Sequence, residues 1–259
     1  MRNRRRIIGV AAVCVGVLAP AAVASASQYV GLGDSYSSGV GTRVFYESSG
    51  SCKRGPEAYP PKVASQKGYT LSFQACSGAK TTDVNANQLG TLSSSTALVT
   101  ITIGGNDVGF SNVIIECAAY YFWCGEAIEE ANWKIANELP GKLETTYKDI
   151  RAKATTAHVI VLGYPHLFTK EGKTCNGNFL TSSNEKKMNE SADKLDAVIK
   201  GRAEYHGFTY VDPRAALEPH EVCSSEEWLN GQSNPLEESY HPNVKGHVEF
   251  TKEVEARLP

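Results

Sequence analysis

The chain has 259 residues, 41% hydrophobic and 21% charged, enough for one sizeable core. Lys and Arg number 26 against 28 Asp and Glu; without the four arginines near the N-terminus the balance is 22 against 28, a net charge of −6. That sign argues against a nucleic-acid partner and against tight adsorption to anionic membranes. In chain order the first feature is a targeting segment. Arg2, Arg4, Arg5 and Arg6 form a basic start, Ile7 to Leu18 an apolar stretch too short to span a bilayer comfortably, and Ala24-Ser25-Ala26 a small-x-small cleavage site. Residues 1–26 are therefore expected to be a signal peptide that is removed, leaving 27–259 as a single secreted, extracellular domain with no integral membrane segment.

Five short β-rich runs follow: Tyr29–Gly33, Leu71–Ala75, Leu98–Ile103, His158–Leu162 and Phe208–Val211. The third and fourth are nearly continuous in apolar or β-branched residues, as buried central strands are. Helical patterns alternate with them over Ala58–Lys67, Glu126–Ala154 (broken at Pro140-Gly141), Asn184–Tyr205 and Lys245–Leu258. In the third pattern Met188, Ala192, Leu195, Val198 and Ile199 form a core-facing stripe. The alternation predicts an α/β fold with a parallel sheet and helices on both faces. Three irregular stretches, Thr42–Pro56, Gly109–Gly125 and Phe168–Ser183, each contain cysteine and follow strands, where open α/β sheets bind ligands. They read as stapled loops shaping a cleft. No repeat or composition break marks a second domain.

Six cysteines remain after the leader, and an even count in an exported chain reads as a disulfide framework. Fifteen pairings are possible. Sequential pairing (Cys52–Cys76, Cys117–Cys124, Cys175–Cys223) is preferred, because each bridge then closes one local excursion. With no Cys-x-x-Cys and no histidine pair at ligand spacing, no metal centre and no cofactor are expected.

Chemistry-bearing residues cluster at the strand ends. Gly33-Asp34-Ser35-Tyr36-Ser37 follows the first strand, and a serine there, flanked by small residues, is where a hydrolase exposes a nucleophile. Taken alone, the tripeptide reads equally as a turn or a helix N-cap. Asp34 is expected to cap or brace the loop. Gly78 follows the second strand, and Asn106, in Gly104-Gly105-Asn106-Asp107, follows the third. With the N–H of Ser35, the N–H of Gly78 and the Asn106 amide would make three oxyanion donors, each typically worth about 3–4 kcal/mol of barrier. Among six histidines, His241 is favoured as the base because Pro242-Asn243 makes a rigid turn and the last helix fixes it; His166 is the rival by position. His158 and His247 read as structural, His206 and His220 as solvent-exposed. Glu238, or the main-chain carbonyl of Ser239, would orient His241.

These four blocks, in this order and at this wide spacing, resemble the SGNH (GDSL) hydrolase family over essentially the whole mature chain. Gly33-Asp34-Ser35-Tyr36-Ser37-Ser38-Gly39, Ala75-Cys76-Ser77-Gly78-Ala79 and the six cysteines are most similar to its secreted actinobacterial lipases, esterases and phospholipases. The resemblance implies a flavodoxin-like, three-layer α/β/α sandwich with about five parallel strands. It implies Ser35 as nucleophile, His241 as base, Ser35, Gly78 and Asn106 as oxyanion hole, and the sequential disulfides. The family usually carries aspartate where this chain has Glu238, and some members of the branch are similar to Ser–His dyads oriented by a carbonyl at the position of Ser239. The expected activity is hydrolysis of carboxylic acyl esters of lipids, as lipase, esterase or phospholipase A1, by a monomer. Apolar residues of the Gly109–Gly125 stretch (Phe110, Val113, Ile114, Ile115, Tyr120, Tyr121, Phe122, Trp123) would line an acyl pocket or pack the loop onto the core. The rivals are a carbohydrate acetyl esterase and, from another class, a non-catalytic surface- or carbohydrate-binding module.

Overall fold

Continuous apolar runs form the middle of the sheet. A computed structural model describes residues 26–119, 124–172, 175 and 180–259. Residues 1–25 of the predicted leader, Tyr120–Trp123 and part of the Phe168–Ser183 stretch (173–174 and 176–179) lie outside the described residues. Five parallel strands, β1 (Gln28–Gly33), β2 (Thr70–Phe73), β3 (Thr96–Thr102), β4 (His158–Leu162) and β5 (Thr209–Val211), are ordered β2-β1-β3-β4-β5. This is the flavodoxin-like order. Leu98, Val99 and Ile101 of β3 and Val159 to Leu162 of β4 are all but fully buried, as strands covered on both faces must be. The chain turns from β2 across β1 to β3, so the switch point where such sheets bind ligands lies at the carboxyl ends of β1 and β3.

The helices are α1 (Ser35–Ser38), α2 (Tyr59–Lys67), α3 (Thr81–Asp83), α4 (Phe110–Ala119), α5 (Cys124–Asn137), α6 (Leu139–Lys153), α7 (Ser182–Tyr205), α8 (Arg214–Leu217) and α9 (Val244–Glu255). One outer layer is built on α2 against α9, the other on α5, α6 and α7. The result is a three-layer α/β/α sandwich. Thr181 caps α7 through Asn184 N–H, and Asn243 caps α9 through the N–H groups of Lys245 and Gly246. Pro140 sits in the first turn of α6, where its missing N–H costs nothing, so the long helical pattern divides just before it.

One expectation is corrected. The stretch from Gly109 to Gly125 is largely helical, carrying α4 and the start of α5, with Cys117–Cys124 joining the two. α4 has a single charged residue, Glu116, and exposed Ile115 sits among Ser111, Asn112 and Glu116 on its solvent side, so its helical period has little contrast. Disulfides also join Cys52 to Cys76 and Cys175 to Cys223. The first ties the Thr42–Pro56 stretch to the loop after β2, where Ser77 N–H also donates to the Cys52 carbonyl.

Candidate active site

Gly33 ends β1 at φ +120, and a Cβ there would lie 2.4 Å from the Thr102 carbonyl oxygen. Only glycine lets the chain leave the sheet this close to β3. Asp34 follows as the N-cap of α1, its carboxylate accepting from Tyr36 N–H at 2.9 Å. Ser35 therefore occupies the first position of a one-turn helix at the switch point. Its N–H is one of the donors a helix start leaves without an intrahelical partner.

His241 arrives from the opposite end of the chain. Its Nε2 lies 2.7 Å from Ser35 Oγ, and its Nδ1 lies 2.7 Å from the Ser239 carbonyl oxygen. A carbonyl only accepts, so Nδ1 carries the proton and Nε2 is the acceptor that faces the serine hydroxyl. Burial pushes the imidazole down from 6.5 to about 4, against the Ser239 hydrogen bond, which favours the charged form. Tyr240, just before it, is held at φ +59, a left-handed conformation uncommon outside glycine. Its carbonyl accepts from Tyr36 Oη at 2.6 Å, so the serine turn itself holds the histidine loop. The backbone of Asn230 brackets the same loop, accepting from Tyr240 N–H and donating to the His241 carbonyl.

Glu238 is not at the histidine. Its carboxylate meets Arg43 Nε at 2.9 Å, and the main-chain carbonyl of Ser239 takes the position behind the imidazole. The other histidines are held elsewhere. His166, the rival, pairs with Asp193 at 2.8 Å. His158 Nε2 meets the Arg257 carbonyl, and buried His247 accepts from Tyr59 N–H through Nδ1. His206 and His220 are half-buried rather than exposed: His206 contacts Glu144 at 2.9 Å, and His220 stacks on Trp228 with ring centroids 3.4 Å apart. Their polar neighbours in sequence gave no sign of these partners.

Ser35, Gly78, Asn106 and His241 line one cleft of about 530 Å³. Gly78 has φ +76, and a Cβ added there would meet nothing within 4 Å, so the position opens onto free space. Among the described residues, the N–H groups of Ser35 and Gly78 donate to no protein acceptor. Asn106 Nδ2 spends one proton on the Ala79 carbonyl at 3.0 Å and keeps the other. Asp107, beside it, accepts from Thr81 N–H and Oγ1 at 3.0 and 2.6 Å, fastening the loop after β3 to the loop after β2.

Tyr164 was not singled out by sequence, and the only hint is its place two residues past the end of β4. Its hydroxyl donates to Asp34 Oδ2 at 2.5 Å and accepts from Gly105 N–H at 3.0 Å. One group thus spans the serine turn and the loop bearing Asn106. Burial pushes the Asp34 carboxyl up to about 7 even with these donors around it.

The rest of the cleft is mainly apolar. Phe110, Ile114 and Ile115 of α4 line it together with Leu167, Leu195 and Leu236. Val113, one of the residues expected near an acyl pocket, is instead buried in the core. The one cluster among the described residues at metal-ligand spacing is Cys175, Cys223 and Glu227, and there the two thiols are joined as a disulfide.

The profile of the GDSL-like Lipase/Acylhydrolase family matches residues 32–248. Lipase 1 of Streptomyces coelicolor is 45% identical over 226 residues, spanning 86% of this chain and 83% of that protein. The crystal structure of a phospholipase A1 from Streptomyces albidoflavus NA297 superposes with a TM-score of 0.86 at 41% identity, covering 90% of this chain and all of the other. The extracellular lipase of Streptomyces rimosus does so with a TM-score of 0.86 at 40% identity, with the same coverage.

Proposed function

Because the chain belongs to the GDSL-like lipase/acylhydrolase family and is an ester hydrolase, we propose that it is a secreted serine enzyme cleaving lipid acyl esters through an acyl-enzyme on Ser35. The single observation that carries this reading is the relay Ser239 O···His241···Ser35 Oγ, 2.7 Å at each step, at the edge of an apolar cleft. Ser35 Oγ attacks the ester carbonyl as its proton passes to His241 Nε2. The charged imidazole is held by its Nδ1–H bond to Ser239 O and then protonates the departing alcohol. Ser35 N–H, Gly78 N–H and Asn106 Nδ2 take the oxyanion. Water, activated by the same imidazole, releases the fatty acid. Removal of residues 1–26 and export of the remaining single domain fit the three disulfides and the basic-apolar-small leader.

The apolar lining favours an acyl chain over an acetyl group, which needs no such length of wall, and so disfavours the acetyl-esterase reading. A binding module has no use for a serine activated by a neutral imidazole. A p-nitrophenyl ester series of increasing chain length, run beside triglyceride and phospholipid, tests the reading. Rates that rise from acetate into the medium chains are expected, and a maximum at acetate would overturn it.

Two smaller effects follow from the geometry. Glu238→Gln removes an ion pair with half-exposed Arg43 and nothing at the imidazole, so kcat should change by no more than a few-fold. A true triad acid is worth on the order of 10⁴ in kcat. A loss of that size in Glu238→Gln would reinstate the carboxylate as the orienting group. The second effect is on pH. His241 works as a base only when neutral, and burial holds it at about 4. The value of kcat/KM should therefore rise with pH through about 4 and level off once the imidazole has lost its proton. A midpoint at the ordinary 6.5 would show that burial does not depress this group.

A further inference from the structure

A second groove, of about 440 Å³, lies against the cleft and shares Ser77 and Gly78 with it. Its lining is more polar than that of the first. Arg54, Asp83 and the Cys52–Cys76 bridge line it, together with side-chain amides. The bridge and the Ser77 N–H bond to the Cys52 carbonyl fasten its walls. Gln88 is committed elsewhere, bonded to both the N–H and the carbonyl of Gly33.

The two charged groups are committed only in part. Arg54 gives one hydrogen bond, from Nη1 to the Ala75 carbonyl at 3.2 Å. Among the described residues its Nε and Nη2 meet no acceptor, and no carboxylate lies within ion-pair distance of it. Asp83 accepts from Lys80 N–H at 2.8 Å through Oδ2 and likewise forms no ion pair. One guanidinium and one carboxylate thus face a single groove without neutralising each other. A half-buried arginine with free donors is built to take a phosphodiester, and an unpaired carboxylate beside it suits an ammonium.

We infer that this groove is a subsite for the zwitterionic headgroup of a glycerophospholipid, with Arg54 on the phosphate and Asp83 on the ammonium group. The inference rests on the ester-hydrolase reading of Ser35. Gly78 is the hinge between the two spaces: its N–H serves the ester oxygen, while the acyl chain runs into the apolar cleft and the glycerophosphate passes into the polar groove. A headgroup of net negative charge would bring Arg54 its phosphate but no ammonium to pair with Asp83. The excess of acidic residues in residues 27–259 works in the same direction, against anionic lipid.

The test uses monomeric short-chain lipids, so that no interface intervenes, with p-nitrophenyl hexanoate as the headgroup-free control. For Arg54→Gln, kcat/KM on dihexanoyl-phosphatidylcholine should fall about 10- to 100-fold, the usual worth of a hydrogen bond to a charged group, while the control stays within about twofold. Arg54→Lys, which keeps the charge but not the fork, should fall in between. Asp83→Asn should lower the preference for phosphatidylcholine over phosphatidylglycerol. Equal losses on both substrates in Arg54→Gln and Arg54→Lys would make Arg54 a brace for the Ala75 carbonyl and overturn the inference. Unchanged phosphatidylcholine hydrolysis in Arg54→Gln would overturn it too. A wild-type enzyme that cleaves the control ester but not phosphatidylcholine sinks the headgroup subsite and leaves the ester-hydrolase reading standing. Inactivity on the control ester would instead remove the reading itself.

Discussion

Ser35→Ala should lower kcat for p-nitrophenyl octanoate by about 10⁶, with the folded state intact. The size follows from the relay. Among the described residues Ser35 Oγ is the only group in hydrogen-bond contact with His241 Nε2, so without it the base has no proton to take and no bond to the acyl carbon forms. The fold does not depend on that oxygen. The α1 turn is set by Gly33, by the Asp34 cap and by the Tyr36 bond to the Tyr240 carbonyl, none of which the substitution touches. Tm should therefore move by no more than about 2 °C. His241→Ala should cost nearly as much, and the double variant little more than either single one, because the two groups act as a unit. A serine-directed organophosphate should add one adduct mass to the wild type and none to Ser35→Ala. Turnover above a hundredth of wild type in Ser35→Ala, or additive losses in the double variant, would falsify the nucleophile assignment.

The parts of this arrangement differ in how far sequence could reach them, and the difference is physical. β3 and β4 were legible because strands buried on both faces must be apolar throughout. The serine, Gly78 and the Asn106 loop were legible because each follows a strand directly, and a parallel sheet brings all carboxyl ends to one edge. α4 was not legible: an almost uncharged helix whose solvent side carries Ile115 among its few polar residues has little contrast to set its period. Tyr164 was hidden for another reason. Its importance lies in one hydroxyl reaching Asp34, 130 residues earlier, and nothing local to Tyr164 records that contact. The same holds for Glu238. Its place three residues before His241 suggested an orienting acid, but Arg43, far off in sequence, takes the carboxylate. The left-handed Tyr240 turns the chain so that the nearer carbonyl of Ser239 comes behind the ring instead.

Asn106→Ala carries the second large effect, a fall in kcat of about 10²–10³ with KM nearly unchanged, the usual consequence of losing one oxyanion donor. Asn106 is positioned from three sides. Gly105 N–H is held by Tyr164 Oη, Asp107 is held by Thr81, and the Asn106 amide is itself aimed by the Ala79 carbonyl at 3.0 Å. An amide so fixed needs no reorganisation when charge develops on the ester oxygen, which is why its loss should appear in kcat rather than in binding. The Ala79 bond is lost as well, so the loop between β2 and α3 could loosen and pull Gly78 out of place. Asn106→Asp also loses the Ala79 bond, since a carboxylate has no proton to give a carbonyl, so it differs from Asn106→Ala chiefly in charge. It keeps the side-chain volume while presenting negative charge to the oxyanion, and its activity should fall below that of Asn106→Ala although its shape is closer to wild type. Asn106→Asp retaining more activity than Asn106→Ala would mean that no oxyanion develops against this side chain, leaving the Ser35 and Gly78 N–H groups as the oxyanion donors.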